Sequence, residues 1–346
     1  MAEPLLLNVT LYGKPGCKLC DEVREQLNSL QAKFPHRLAE VNIESDPVLQ
    51  KKYFDQIPIV QVGPYELKAP ITRQALEMTL GAASDRRGQL SEVGGDAYRE
   101  KLRKSQTVGG GDRVYVWIAR HYLAVLNLAI FLYVGLPFLA PTLMKLNEQK
   151  LNEQAPARLI YTIYSPLCHQ FAFRSFFLFG EQPYYPLKEA GLTGIRSFDQ
   201  LSGYADLANP LSASRLYARQ FTGDPTVGYK VAICERDVAI YGAILLFGLI
   251  YVLTNRRLPQ LHWALWFLIG LGPIGLDGFS QLFSQMNWPW LLQILPYRES
   301  TPFLRVLTGG LFGFATAWFA YPNIEESMRE TRQYFIKKFA VAKATQ

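Results

Sequence analysis

The sequence predicts a two-part chain: a small α/β domain followed by an all-α polytopic membrane domain. Two observations predict it. Up to about Gly111 the chain is charged and alternates strand-like with helix-like segments, whereas from Ile118 onward it holds several long apolar runs. A length of 346 residues is ample for both parts. The formal net charge of +7 sits largely beside hydrophobic segments, in Lys101, Arg103, Lys104, Arg113, Arg120, Arg256, Arg257, Lys337 and Lys338. Basic residues so placed orient a membrane protein and contact anionic lipid. No aromatic-plus-basic pattern points to nucleic acid, so lipid is the expected partner and nucleic acid is not. Four cysteines are too few for a disulfide scaffold. The apolar Leu5–Leu7 is short, has no basic residue before it and does not read as a secretory leader.

In the first part, Leu5–Tyr12 reads as a buried strand and Gly13–Gly16 as a turn. Cys17–Phe34 carries Leu19, Val23, Leu27, Leu30 and Phe34 at helical spacing. Arg37–Ile43 returns to strand character, and Asp46–Phe54 reads as a short helix with Asp46 as cap and Pro47 at its first position. Ile57–Val62 and Tyr65–Lys68 read as strands, and Ile71–Leu80 as a closing helix. The order β-α-β-α-β-β-α is that of the thioredoxin fold.

The chemistry of this part lies in Cys17-Lys18-Leu19-Cys20, just after a strand and opening a helix. Thiolate is the reactive form of cysteine, and a helix N-terminus favours an anion. Lys14 and Lys18 add positive charge, so Cys17 is expected to be the attacking thiol and Cys20, one turn on, the resolving one. Pro58 precedes the third strand, where this fold usually places a cis proline facing the cysteines. A structural zinc site would need two further ligands, and His36 is the only His or Cys left in the domain. GKPGCKLC together with IPIV closely resembles the bacterial glutaredoxin-like family over residues 5–81. The resemblance implies the thioredoxin fold, Cys17 as nucleophile, Cys20 as resolving thiol and Pro58 as the substrate-loop proline. Glutaredoxins carry a Gly-Gly pair after the next strand that helps hold glutathione. Here that stretch reads YELKAPIT, so the resemblance does not carry glutathione over as the partner.

Residues 82–112, rich in Gly, Ser and charge, read as a flexible linker, with a short amphipathic helix over Asp96–Lys104 as the alternative. Four later segments are apolar and long enough to cross a bilayer: Ala119–Pro141, Val238–Thr254, Gln260–Phe283 and Phe303–Tyr321. Trp117, Trp263, Trp266, Trp288, Trp290 and Trp318 mostly lie near segment ends, as an interfacial belt requires. Basic residues before the first span, in Asn255–Pro259 and in the tail at 323–346 place all three on the cytosolic side of a plasma membrane. Residues 142–236 and Ser284–Pro302 then face outward. Leu159–Gly180, broken by Pro166, His169 and Arg174, reads as a re-entrant or interfacial helix; a full crossing would raise the span count to five.

Polar residues gather at the outer ends of these helices: Cys168-His169-Gln170, Cys234-Glu235-Arg236-Asp237, Asp277 with Gln281, and Arg298-Glu299-Ser300 with Arg305. An ionisable group in a membrane segment faces a partner or a cavity, and Arg298 and Arg305 are candidates for Asp277. SPLCHQ, ERDVAIY, DGFSQ and RESTPFLRVLTGGLFG resemble a family of polytopic prokaryotic membrane proteins of unknown function, over about residues 155–322. Members often carry Cys-Ala-Arg-Cys where this chain has Cys234-Glu-Arg-Asp237, an exchange that keeps a metal-ligand type but not a disulfide partner. Three readings stay open: a zinc-like ion on Cys168, His169, Cys234 and Asp237; a Cys168–Cys234 disulfide; or a polar core with no ligand. Gly309, Gly310 and Gly313 read as close helix contact.

The expectation is therefore an α/β thioredoxin-like domain plus an all-α polytopic transmembrane helical domain. Together they make a membrane-tethered thiol–disulfide oxidoreductase acting on an unidentified thiol or disulfide. The alternative is a metal-binding or transport protein with a thioredoxin-fold accessory module.

Overall fold

A computed structural model describes residues 6–148, 155–286, 290, 293–294 and 296–344. It divides into two units, Met1–Tyr122 with Glu326–Gln346, and Leu123–Glu325.

The first unit begins with β1 (Leu7–Gly13), α1 (Lys18–Ser29), β2 (His36–Asn42), α2 (Pro47–Tyr53), β3 (Ile59–Val62), β4 (Tyr65–Lys68) and α3 (Arg73–Gln106). Leu5, where the predicted first strand starts, lies outside the described residues. The sheet order is β2-β1-β3-β4, with β1 parallel to β2 and antiparallel to β3, and β3 antiparallel to β4. This is the predicted thioredoxin-like arrangement. Val23 and Leu27 of α1 and Leu76 and Leu80 of α3 close over Val9, Leu11, Val60 and Val62 of the sheet. The apolar residues of each helix recur at three- and four-residue intervals and so share the face that is buried. Asp46 caps α2 by accepting from the N–H groups of Val48 and Leu49 at 2.8 and 3.2 Å, and Thr72 caps α3 through the N–H of Ala75.

α3 does not stop near Leu80. It continues through the segment expected to be a charged tether as far as Gln106, with one non-helical residue at Gly95 (φ 49°). Arg, Glu, Lys and Leu there are good helix formers, and pairs such as Glu100–Lys104 at 2.7 Å support an exposed helix. The C-terminal stretch is also helical and belongs to this unit. Its Ile336 and Ala340 pack on Tyr12, Leu49, Tyr53 and Ile59, and Lys337 Nζ donates to Gln61 Oε1 at 3.0 Å.

The second unit is mostly helical. Among the described residues, four helices are long and apolar enough to cross a membrane: α4 (Gly110–Leu146), α8 (Glu235–Leu253), α9 (Trp263–Ser284) and α10 (Pro302–Lys343). Leu128, Phe131, Leu249 and Phe279 on them are exposed, as lipid-facing residues are. Trp117, Trp263 and Trp290 are exposed, while Trp288 lies outside the described residues. Leu159–Gly180, expected as one re-entrant or interfacial helix, is α-helical only at its start. α5 (Ala155–Tyr164) ends before Pro166, and the chain turns into the strand β5 (Ser175–Leu178).

Between α4 and α8 the chain also forms the short helices α6 (Phe198–Ser202) and α7 (Ser214–Gln220) and the strands β6 (Gly223–Asp224) and β7 (Gly228–Cys234). The strands make an antiparallel sheet in the order β5-β7-β6, which hydropathy did not reveal. Its central strand, GYKVAIC, is buried almost throughout, and Phe173, Phe177, Tyr185, Phe198 and Leu207 form a core of their own. Gly180 permits the close strand approach: a Cβ there would lie 2.1 Å from the Val227 carbonyl.

Candidate functional site

Cys17 is the N-cap of α1, and its Sγ accepts the N–H of Cys20 at 3.2 Å. That N–H also bonds the Cys17 carbonyl at 3.0 Å, and the sulfur sits at a helix N-terminus, the arrangement that favours a thiolate. Cys17 and Cys20 are joined as a disulfide, with Cα atoms 5.3 Å apart. Cys17 is half-buried and Cys20 is buried, so the two sulfurs differ in access. Lys14 and Lys18 are both exposed beside them.

Ile57–Pro58 is cis. The pairing of Tyr12 with Ile59 brings Pro58 opposite Gly13, at the start of the turn that carries Cys17. Gly13 has a role that the sequence reading missed: a Cβ on it would lie 3.0 Å from Cys20 Sγ, so the missing side chain makes room for the second sulfur. The open groove beside Cys20 has a volume of about 250 Å³ and is lined by Lys14, Pro15, Arg24, Glu40 and Asn42. His36 takes no part. It pairs with Leu7 at the opposite end of β1 from Gly13, roughly 20 Å away at strand rise, and its Nδ1 lies 2.6 Å from the Phe34 carbonyl.

In the second unit the polar residues form two groups. Cys168, Cys234 and Asp237 bring a ligand atom each within 4.8 Å of one another. The predicted fourth member does not join them: His169 is exposed, and its ring stacks on Phe171 at 5.7 Å. Both cysteines are free thiols. The Cys234 thiol donates to Cys168 Sγ, which outweighs burial and holds the Cys168 thiol below its usual range; the same bond, with burial, pushes Cys234 well up.

The second group is an ion network. Asp277 meets Arg236 at 2.5 Å, Arg298 at 2.7 Å and Ser300 Oγ at 2.7 Å. Glu299 accepts two bonds from Arg174 at 2.8 and 2.9 Å, one from Arg305, and one each from Gln281 and Gln285. Arg305 also pairs with Glu235 at 3.2 Å. Burial pushes the Glu299 carboxyl up, but Arg174 and Arg305 outweigh it and hold the group below the usual carboxylate range.

Asp277, Gln281, Arg298, Glu299 and Arg305 thus converge as expected, but the pairing differs. Arg305 serves Glu299 and Glu235, not Asp277, whose second partner is Arg236. Arg174, read only as a break in an apolar run, is a member that was missed. The cost of an unpaired charge in such a run was the available signal. Gly309 and Gly313 are close helix contacts, with a built Cβ 2.9 Å from the Arg236 carbonyl and 2.1 Å from that of Ile240; Gly310 has nothing within 4 Å.

Two family models match the chain. Residues 8–81 match "Glutaredoxin-like domain (DUF836)" and residues 225–319 match "Predicted membrane protein (DUF2085)". An uncharacterized protein of Methanocaldococcus jannaschii, MJ1492, is 25% identical over 207 residues, which is 59% of this chain and 92% of the relative. The chain therefore carries a glutaredoxin-like domain at its front and a domain of the predicted-membrane-protein family behind it.

Proposed function

We propose that the protein is a membrane-anchored thiol–disulfide oxidoreductase. The Cys17 thiolate attacks a substrate disulfide, forms a mixed disulfide and expels one substrate sulfur as a thiol. The Cys20 thiolate then attacks Cys17 Sγ, releases the second substrate thiol and leaves Cys17 joined to Cys20. A thiol reductant returns the pair to its starting state. The observation that carries this reading is the joined pair at the start of α1, with Cys17 half-buried and facing a backbone donor and Cys20 buried behind it.

The reading includes a location. Basic residues Arg113, Arg120, Arg256, Arg257, Lys337 and Lys338 flank an even number of candidate spans, which supports a plasma-membrane protein with both ends cytosolic. Thiols are kept reduced on that side, which suits a disulfide-reducing role.

The test is trapping in the full-length chain. Cys20→Ser is expected to accumulate a mixed disulfide through Cys17 with a model disulfide, whereas Cys17→Ser exchanges at background rate. Equal trapping by both variants, or by neither, removes the assignment. The second reading left open by the sequence, a metal-binding membrane protein, rests on Cys168, Cys234 and Asp237 and does not depend on exchange at Cys17.

A further inference from the structure

The exchange reaction uses two of the four cysteines. The other two are brought together by the fold from distant parts of the chain. Cys168 lies in the loop after α5, Cys234 ends β7, and Asp237 lies in the first turn of α8. Three features of their surroundings suit a bound cation.

The first is convergence. Two sulfurs and a carboxylate oxygen lie within 4.8 Å of one another. At a metal–sulfur distance of about 2.3 Å, two ligands of a tetrahedral ion sit about 3.8 Å apart, so closure takes at most about 1 Å. The second is that the loop is held rather than loose. Gln170, two residues after Cys168, donates from Nε2 to the carbonyls of Tyr161 and Ala232, both at 2.9 Å, which ties the loop to α5 and β7. Cys168 Sγ itself accepts the N–H of Cys234 at 3.3 Å, a bond suited to a thiolate ligand. The third is that Asp237, half-buried, pairs with no basic residue among the described residues, although four arginines stand in the neighbouring network. A partly buried carboxylate beside two thiols, with no cation of its own, has an unmet electrostatic need.

We propose that Cys168, Cys234 and Asp237 bind one thiophilic divalent cation of the zinc class. Two sulfurs exclude magnesium and calcium, which take oxygen ligands. Binding displaces the two thiol protons to water. Three protein ligands leave a fourth position for water or another ligand, as open zinc sites do. His169, exposed and stacked on Phe171, is not a ligand.

The experiment uses the reduced full-length chain carrying Cys17→Ser and Cys20→Ser, so that the front pair contributes nothing and failure of the exchange reading has no effect on the result. Cobalt(II) is titrated as the spectroscopic stand-in. One equivalent per chain is expected, with a thiolate-to-cobalt charge-transfer band that zinc abolishes by displacement. Adding Cys168→Ser or Cys234→Ser should weaken the band, and Asp237→Asn, close in shape and retaining both sulfurs, should raise the dissociation constant at least about tenfold. Circular dichroism confirms that each variant is folded. A reduced, folded parent that takes up no cobalt overturns the proposal, as does uptake unchanged by Asp237→Asn and Cys168→Ser.

Discussion

The Cys17 sulfur sits at a helix start with a backbone donor at 3.2 Å, and the exposed Lys14 and Lys18 flank it in the chain. In the reduced chain its alkylation rate should reach half-maximum below about pH 8.5, the value of an ordinary thiol. Iodoacetamide kinetics across pH on a Cys20→Ser, Cys168→Ser, Cys234→Ser background measure this directly, and a midpoint at or above that of free cysteine contradicts it. A second residue, Lys230 in β7, is fully buried, and burial pushes its ammonium down to about 7. Its two acceptors, the carbonyls of Gln170 and Arg219 at 2.7 Å, can be served by a neutral amine, which still carries two N–H donors. In the unfolded chain the group stays near 10.4. Between these values the unfolded state holds more protons, so stability rises with pH from about 7 to about 10, by at most about 1.4 kcal/mol per pH unit. Thermal unfolding in detergent across that window should show the slope in the parent and a flatter one in Lys230→Met.

Helix contacts and the ion network decide how the membrane helices associate. The Cβ built on Gly313 falls 2.1 Å from the Ile240 carbonyl, whereas that on Gly310 meets nothing. Gly313→Ala should therefore lower stability by about 1–3 kcal/mol through overpacking of α8 against α10, with Gly310→Ala close to neutral. Equal melting temperatures for the two variants would show that the helices do not approach so closely. Glu299 receives donors from Arg174, Arg305, Gln281 and Gln285 in a side chain with no exposed surface. Glu299→Gln takes the counter-charge from Arg174 and leaves Arg305 only Glu235, and removing one partner of a buried pair costs about 3–5 kcal/mol. The loss should appear in thermal or denaturant unfolding. The more exposed Arg298→Lys, which keeps the charge beside Asp277, should cost clearly less.

For the whole molecule, the proposed sidedness of the spans rests on hydropathy and basic flanks, and labelling can check it. In a chain without native cysteines, Leu211→Cys in the segment between α4 and α8 and Lys343→Cys near the C-terminus are both at exposed positions. A membrane-impermeant maleimide added to intact cells should modify the first and spare the second until the cells are broken. Modification of both in intact cells, or of Lys343→Cys alone, rules out the proposed orientation.

Much of this architecture could be read from residues in a row. The front domain was legible because its strands and helices alternate with clear periods and because Asp46 and Pro47 mark a helix start. The four candidate spans among the described residues were legible because a membrane crossing is a local property of about twenty apolar residues. The helix over 82–106 was not, since its Gly and Ser content masked pairs such as Glu100 with Lys104. Nor was the sheet of β5, β6 and β7, whose strands are short and find their partners only after the chain returns. The sequence alone determined the two domains, the Cys17–Cys20 pair and the polar residues at the helix ends. Only the tertiary structure decided which of those residues meet: Arg236 rather than Arg305 beside Asp277, Arg174 with Glu299, and Asp237 rather than His169 beside the two thiols. The four-residue motif Cys17–Cys20 spans about one helical turn, so its geometry follows from the backbone. Partners separated by tens of residues meet only where packing brings their elements together, and no local period records that.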